Sequence, residues 1–358
     1  MSSVAAAERR RRTLALSLAE GVGPVRYRQL VERHGSAAAA LDAALSGERR
    51  RAALTAADEA IAAAAACGAA VWLPSDPEYP AALLDLADPP ARLFGLGAAV
   101  AARRPAVSIV GTRDSSAYGE SVATELARAL AEAGAAVVSG MARGIDAAAH
   151  RAALACGGRT VAVLGTGVDV PYPVSHRGLH AEIASAGLVL SEEVPGARPG
   201  PGSFPRRNRI IAALSDVTIV VEAGVKSGAL ITAGAALELG RAVAAVPGPM
   251  HAAASRGTNE LLRDGAAVIT SVDDALALLS LPRREEREGR EDARAGEGAT
   301  ALGPAAGAIW LALARGPLDP DSLAERAGIS PRDCLAAVTA LELAGLVTAG
   351  AAGEVRRA

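Results

Sequence analysis

Residues 203–228 read SFPRRNRIIAALSDVTIVVEAGVKSG, and the rest of the chain can be interpreted outward from this stretch. Three arginines, Arg206, Arg207 and Arg209, fall within four residues, shortly before an apolar run over 217–221. Arginine is rarely buried without a partner, so guanidinium groups this close to a core strand predict one. Two partners remain open: a phosphate-bearing polymer, or internal carboxylates around a solvated basic turn.

Around this stretch, short valine- and isoleucine-rich runs alternate with glycine-rich turns and helical segments. The runs lack polar–apolar alternation, which is typical of strands buried on both faces of a parallel sheet. We therefore expect an α/β fold, a doubly wound, extended Rossmann-like domain over about residues 105–280. Its predicted strands lie at 107–110, 136–138, 161–164, 188–190, 217–221, 243–246 and 267–269.

The turns that follow these strands carry the candidate binding groups. The carboxyl ends of parallel strands line one crevice, and helix N-termini there present free N–H groups to anions. Arg113 and Arg143 lie in two of these turns, and Lys226, the single lysine of the chain, lies in a third. Several cations in one crevice suit a row of phosphates better than a single dinucleotide.

The same turns lack enzyme signatures. Gly165-Thr166-Gly167 has no third glycine to complete a dinucleotide motif, and neither a Walker A sequence nor a Gly-x-Ser-x-Gly turn occurs. Asp146 and His150 are four residues apart on a predicted helix. Such a pair is more often a helix-stabilising hydrogen bond than a catalytic dyad.

Two smaller modules flank the central domain, which we place at residues 71–281. Residues 1–70 predict a helix-hairpin-helix or SAM-like domain around Gly21-Val22-Gly23-Pro24. That turn either presents backbone N–H groups to a DNA phosphate or only connects two helices. The proline-rich segment after it predicts an edge strand beginning near residue 92.

The C-terminal part divides into a linker and a winged helix. Residues 282–302 are strongly charged, and we expect a linker with nothing apolar to bury. Residues 303–358 predict a winged-helix domain. Its recognition helix, at 331–338, offers one arginine, one aspartate and no asparagine or glutamine, which favours protein docking or a structural role over base reading.

Length and composition limit the number of domains, the kinds of partner and the cellular compartment. The 358 residues suffice for two or three domains, and a net charge of −2 restricts any nucleic-acid footprint to a local patch. Three widely spaced cysteines argue for a reducing compartment and against a disulfide framework or zinc site. We find no signal peptide or membrane span, so we expect a cytoplasmic protein with no membrane partner, metal or cofactor.

The motifs of the central region resemble those of the DprA/Smf family. The resemblance is strong over about residues 72–280, and the terminal modules match the family in architecture more than in residues. It rests on residues 108–113 with Tyr118-Gly119, residues 139–146 with His150, residues 204–211, residues 227–233 and Val246-Pro247-Gly248.

This resemblance implies a non-enzymatic protein of natural transformation that binds single-stranded DNA, protects it and loads the RecA recombinase, usually as a homodimer. The implied DNA-binding residues are Arg113, Ser139, Gly140, Arg143, Phe204, Arg206, Arg207, Asn208, Arg209, Lys226, Ser227 and Gly228. The alternative is a Rossmann-like nucleotide-processing hydrolase, but residues 222–228 lack its Pro-Gly-Gly-x-Gly-Thr pattern. A transcription-type regulator is a third reading, which the weak recognition helix disfavours.

Overall fold

A computed structural model of the protein describes residues 3–282, 284–350 and 353–358. Contacts within the chain divide it into two compact units, residues 1–281 and residues 282–358.

The first unit begins with four helices between residues 3 and 67. Gly35 and Gly68 follow two of them with φ values of 77° and 73°, a left-handed conformation that glycine adopts without a Cβ penalty. Leu14, Leu16 and Leu41 are fully buried between the helices, which fits the predicted helix–turn–helix order. The helices are α1 Ser3–Leu18, α2 Pro24–His34, α3 Ala37–Ala44 and α4 Gly47–Cys67.

The rest of the first unit alternates strands and helices, as the sequence predicts. In chain order the elements are β1 Ala70–Trp72, β2 Leu93–Gly97, β3 Ala106–Val110, α5 Ala117–Glu132, β4 Ala136–Ser139, α6 Ile145–Ala155, β5 Thr160–Leu164, α7 Arg177–Ala186, β6 Leu188–Ser191, α8 Ser203–Leu214, β7 Val217–Val220, α9 Gly228–Glu238, β8 Ala242–Ala245, α10 Arg256–Arg263, β9 Ala267–Val268 and α11 Val272–Leu278.

Within residues 3–281 the strands form one nine-stranded sheet in the order β1-β2-β6-β5-β4-β3-β7-β8-β9. Strands β3 to β9 run parallel, and Val107 of β3 lies opposite Val217 of β7. The order reverses between β3 and β7, because the chain first winds outward through β4, β5 and β6 and then returns. This confirms the doubly wound prediction and opens a crevice at the carboxyl ends of β3 and β7.

The expected edge strand is not at the edge. Strand β2 pairs antiparallel with both β6 and β1, so β1 forms the outer boundary. A Cβ on Gly95 would lie 2.4 Å from the Trp72 ring, so this pairing needs a glycine in β2. Strand β1 is only three residues long, which is too short for a periodic signal in the sequence.

Helices cover both faces of the sheet and bring α8 close to it. Val107 and Ile109 pack against α5 and α6, whereas Val110 and Val220 pack against α8 and α9. Aromatic residues are only 2% of the chain, and alanine fills much of these contacts. Since an alanine side chain is a single methyl group, helix backbones can approach the strands closely.

The second unit contains α12 Arg284–Ala301, α13 Pro304–Ala312, α14 Pro320–Ala327, α15 Pro331–Leu343, β10 Val347–Ala349 and β11 Val355–Arg357. Helices α13 to α15 and the β10–β11 hairpin are the winged-helix arrangement that the sequence predicts. Ser330 caps α15 by accepting a hydrogen bond from the Asp333 amide at 3.1 Å.

The linker expected over 282–302 is wrong for most of its length, since residues 284–301 are helical. Ala299 is fully buried and Ala295 partly buried in the core of this unit. Arg357 stacks over the Trp310 ring at 4.2 Å and donates to Asp292 at 2.6 Å, which attaches α12 to the winged helix. A narrow alanine face is hard to recognise in so charged a sequence. In the described ranges, no helix is both long and apolar enough to cross a membrane.

Candidate functional site

The crevice at the carboxyl ends of β3, β4 and β7 holds two adjoining cavities of about 330 and 270 Å³. Arg113, Ala142, Phe204 and Arg207 line both of them, so the two form one continuous cleft. The β3–α5 and β4–α6 turns form one wall, and the N-terminal turn of α8 forms another. We call this the Phe204 cleft.

An aromatic platform lies at the mouth of the cleft. The Tyr172 and Phe204 rings have centroids 5.1 Å apart and are tilted by 33°. The Arg113 guanidinium lies 5.3 Å from the Phe204 centroid, in a cation–π contact. Arg113 is exposed and Tyr172 is 38% exposed. These groups offer flat surfaces on which a base can stack, beside a cation for its phosphate.

Arg207 lies buried in the wall of the cleft. Its Nη1 donates to the Val163 carbonyl, while its Nε is buried without a hydrogen-bond partner. Burial lowers the pKa of Arg207 to about 10, and the nearby Asp146 carboxylate opposes that shift. The guanidinium therefore stays charged at neutral pH and adds positive potential to the cleft.

The β4–α6 turn is shaped by Asp146. Its Oδ2 accepts hydrogen bonds from the amides of Gly140 at 3.1 Å and Ala142 at 3.3 Å. Between them Met141 adopts φ 55°, an uncommon conformation for a residue with a Cβ. A Cβ on Gly140 would lie 1.9 Å from the Nη1 of Arg207, so the turn and the arginine fit only with glycine there.

The expected Asp146–His150 hydrogen bond is wrong, because each side chain bonds elsewhere. His150 is fully buried, and its Nδ1 lies 2.7 Å from the Thr160 hydroxyl. Burial, with the charge of Arg207, lowers the pKa of His150 to about 3, so its ring is neutral at physiological pH. Neither residue is arranged as half of a catalytic dyad.

The three arginines of α8 do not form one cluster. Arg206 is paired with Glu193 at 2.6 Å on an exposed surface. Arg209 donates to Glu192 at 2.9 Å and to Asp88 at 3.1 Å, on the side away from the cleft. Only Arg207 lines the cleft, because helical spacing turns its neighbours to other faces. The sequence left two possible partners for these arginines, and for Arg209 the partner is the second one, internal carboxylates.

The β7–α9 turn closes the other side of the cleft. The Ser227 hydroxyl caps α9 by accepting from the Ala229 amide at 3.3 Å. Asn208 donates to the Gly228 carbonyl at 3.0 Å and so ties α8 to this turn. Ser227, Gly228 and Asn208 all line the cleft, and Lys226 is exposed beside them. Arg143 is exposed on the opposite wall.

Ser139, like Arg206 and Arg209, is a predicted residue that the structure places outside the cleft. It is fully buried, and its hydroxyl donates to the Ile109 carbonyl at 2.6 Å. Tyr172 is the residue that the sequence reasoning missed. Its signal is weak but present, since it is one of four tyrosines and follows the glycine-rich turn after β5.

Comparison with known proteins identifies the chain's relatives. The model of DNA recombination-mediator protein A matches residues 70–280. The DprA-like N-terminal HHH domain matches residues 7–66, and the DprA winged helix domain matches residues 293–353. A putative DNA processing protein DprA of Mycobacterium tuberculosis is 46% identical over 242 residues, which are 67% of this chain and 61% of that relative. The chain thus spans about six tenths of the length of that relative.

Other relatives extend the match. Protein Smf of Escherichia coli is 36% identical over 286 residues, 79% of this chain and 76% of that protein. The X-ray structure of DNA processing protein A from Streptococcus pneumoniae superposes with a TM-score of 0.66 at 35% identity, covering 74% of this chain and 95% of that one. DNA processing protein A of Helicobacter pylori, whose structure was described for its single-stranded DNA binding mode, gives 0.54 at 35% identity, covering 59% and 95%. This chain belongs to the DNA recombination-mediator protein A family, the family of the DprA and Smf proteins.

Proposed function

We propose that this protein binds single-stranded DNA in the Phe204 cleft. The observation that carries the proposal is the stack of Arg113, Phe204 and Tyr172 beside the buried charge of Arg207. Single strands are held by cations along the backbone together with aromatic rings under the bases. Backbone contacts carry no base identity, so binding is tolerant of sequence.

The geometry favours a single strand over a duplex. The platform needs bases that are free to stack on a protein ring, and duplex bases are already stacked on one another. The cations of the cleft, Arg113, Arg143 and Lys226, are exposed and suited to phosphates spaced along a strand. The single-strand binding described for the Helicobacter pylori relative supports the same assignment.

The wider role follows from the family. We infer that the protein protects single strands that enter during natural transformation or recombination and loads the RecA recombinase on them, acting as a homodimer in the cytoplasm. We also infer that it is a binding protein and not an enzyme. The bonding of Asp146 to the β4–α6 turn and of His150 to Thr160 supports that inference, since both acid–base candidates have structural roles.

Fluorescence anisotropy tests the proposal with a labelled oligothymidine, its matching duplex and a salt titration. We expect tight binding of the single strand and weak binding of the duplex. Arg113→Ala and Lys226→Ala should each weaken binding to all sequences alike and reduce the log–log salt slope by about 0.7.

Arg128→Ala is the matched control. Arg128 is an exposed arginine that lies about 16 Å along α5 from the cleft end of that helix. Normal binding by Arg113→Ala at every salt concentration would exclude the cleft as the site. Release of free base from a nucleotide by the unmodified protein would instead favour the hydrolase.

A further inference from the structure

The part of the Phe204 cleft that carries Tyr172 is a short segment between β5 and α7. Tyr172, Pro173 and Ser175 of this segment line the smaller cavity of the cleft. Tyr172 is 38% exposed and Val174 is 66% exposed, so the outer side of the segment faces solvent. His176 is only 8% exposed. It is therefore the residue through which the segment packs into the protein.

His176 connects this segment to the β4–α6 turn. Its Nδ1 lies 3.0 Å from the carbonyl oxygen of Met141. Because a carbonyl oxygen can only accept a hydrogen bond, Nδ1 carries the hydrogen and donates it. The amide of His176 donates in turn to the Pro173 carbonyl at 2.9 Å, which closes a single 3₁₀ turn over Val174–His176. The imidazole is thus joined through a compact turn to Pro173 and the adjoining Tyr172.

The conformation of the β4–α6 turn depends on this bond. Met141 is fully buried, and within the described part of the chain its carbonyl accepts a hydrogen bond from His176 alone. A buried carbonyl without a donor is costly, and the φ of 55° at Met141 already makes this turn an uncommon one. The same turn supplies Gly140, Ala142 and Arg143 to the wall of the cleft. Loss of the imidazole would therefore shift the wall.

Other hydrogen bonds of the segment do not fix its distance from the turn. Thr166 donates to the Val170 carbonyl at 2.7 Å, and Nε2 of His180 lies 2.6 Å from the Val168 carbonyl. Both bonds lie within residues 165–180 and leave the β4–α6 turn free to move relative to them. Among the hydrogen bonds of the described residues, the bond from His176 is the one that joins the segment to the turn.

We propose that His176 is a positioning residue for strand binding, whose bond to Met141 fixes the place of the Tyr172 ring relative to the cations of the cleft. This rests on the proposed function of the cleft, because His176 lies behind the wall and acts through Tyr172. A base stacked on that ring and a phosphate held by Arg143 belong to one strand. Binding groups that are already correctly spaced lose less free energy to ordering when the strand arrives.

Fluorescence anisotropy with a labelled oligothymidine tests this role in two variants. His176→Leu keeps an apolar side chain of similar size but removes the donor. We expect it to bind the single strand about tenfold more weakly, which is within the range for the loss of one stacked base. His176→Asn is the conservative variant, since the asparagine Nδ2 lies close to the place of the histidine Nδ1 and can donate to the same carbonyl. It should restore most of the affinity.

The matched control is His150→Leu, the same substitution at another buried histidine. Nδ1 of His150 lies 2.7 Å from the Thr160 hydroxyl, and that hydroxyl keeps the Val137 carbonyl as a partner when the imidazole is removed. His150→Leu should lower the melting temperature and leave the affinity of the folded protein unchanged. Binding is measured well below every melting transition, so that a loss of stability is not mistaken for a loss of affinity.

A double-mutant cycle with Tyr172→Ala identifies the residue through which His176 acts. If His176 positions the ring, its loss matters little once the ring is gone. His176→Leu should therefore weaken binding by less than about twofold in the Tyr172→Ala protein. Should His176→Leu fail to fold, His176→Gln replaces it throughout, because a glutamine amide reaches the place of Nε2 and leaves the Met141 carbonyl without its donor.

The outcomes separate this role from the function of the cleft. An unmodified protein that does not bind the single strand would remove both proposals. If it binds, the cleft stands, and three results would each overturn the positioning role. These are unchanged affinity in His176→Leu, a loss that His176→Asn does not restore, and losses that simply add in the cycle with Tyr172→Ala.

Discussion

Replacing Gly140 with alanine tests the construction of the cleft at its tightest contact. The new Cβ would lie 1.9 Å from the Nη1 and 2.5 Å from the Cζ of Arg207, distances that no real Cβ contact adopts. Arg207 cannot simply turn away, because the same Nη1 donates to the Val163 carbonyl within the core. Gly140→Ala should therefore displace a buried guanidinium from its place.

The cost follows from these contacts. Relief of the clash needs a shift from 1.9 Å to about 3.4 Å, the edge of ordinary contact, which breaks the bond to Val163. A hydrogen bond to a charged group contributes about 1.5–3 kcal/mol, and overpacking a core costs a similar amount. We expect a destabilisation of about 2–3 kcal/mol. For a unit of this size that lowers the melting temperature by roughly 3–5 °C.

Differential scanning calorimetry and single-strand anisotropy measure the two consequences together. Gly140→Ala should melt earlier and bind oligothymidine more weakly, since Arg207 also supplies charge to the cleft. Gly234→Ala is the control: its Cβ meets nothing within 4 Å in α9, and alanine favours a helix by about 1 kcal/mol. A Gly140→Ala protein with unchanged melting temperature and affinity would refute the close-contact argument.

Three further expectations follow from individual side chains. Tyr172→Ala should weaken single-strand binding by about 1–3 kcal/mol, because it removes a ring on which a base stacks. The melting temperature should not change, because the ring is 38% exposed. Unchanged affinity would show that Tyr172 does not belong to the platform. Arg209→Ala should lower the free energy of unfolding in urea by about 3 kcal/mol, since Glu192 loses its partner. The affinity of the folded protein for single strands should stay the same. A loss of affinity without a loss of stability would contradict the structural role of Arg209. His150 has a folded pKa of about 3, below its unfolded value, so its contribution to stability is present above pH 6.5 and is lost as pH falls toward 3. From pH 7 to pH 5 the unmodified protein should lose about 2 kcal/mol relative to His150→Gln, and parallel pH profiles would contradict the assignment.

Much of the fold could be predicted because it is encoded locally. Apolar runs without alternation, separated by glycine turns, predict parallel strands wherever they occur, and the structure confirms the doubly wound domain. The helix–turn–helix order at the start and the winged helix at the end follow from equally local signals. Two elements could not be predicted, because their local sequence signals are too weak. Strand β1 has only three residues, and the apolar face of α12 consists of single alanines.

The candidate site was only partly predictable, because its geometry depends on contacts between distant segments. Arg209 meets Asp88 across 121 residues, and nothing in the local sequence distinguishes it from Arg207, which lines the cleft. Tyr172 joins Phe204 only because the β5–α7 turn and α8 meet above the sheet.

The sequence by itself determined the kind of chemistry: a crevice with glycine turns, cations and an aromatic residue, suited to phosphates and bases. The tertiary structure decided which side chains take part. Helical spacing sends these arginines to different faces. Packing then pairs Arg209 with partly buried carboxylates, Arg207 with a buried carbonyl and Arg206 with a carboxylate on an exposed surface. Burial and partner choice are properties of the folded chain as a whole, and so residue type alone could not assign these roles.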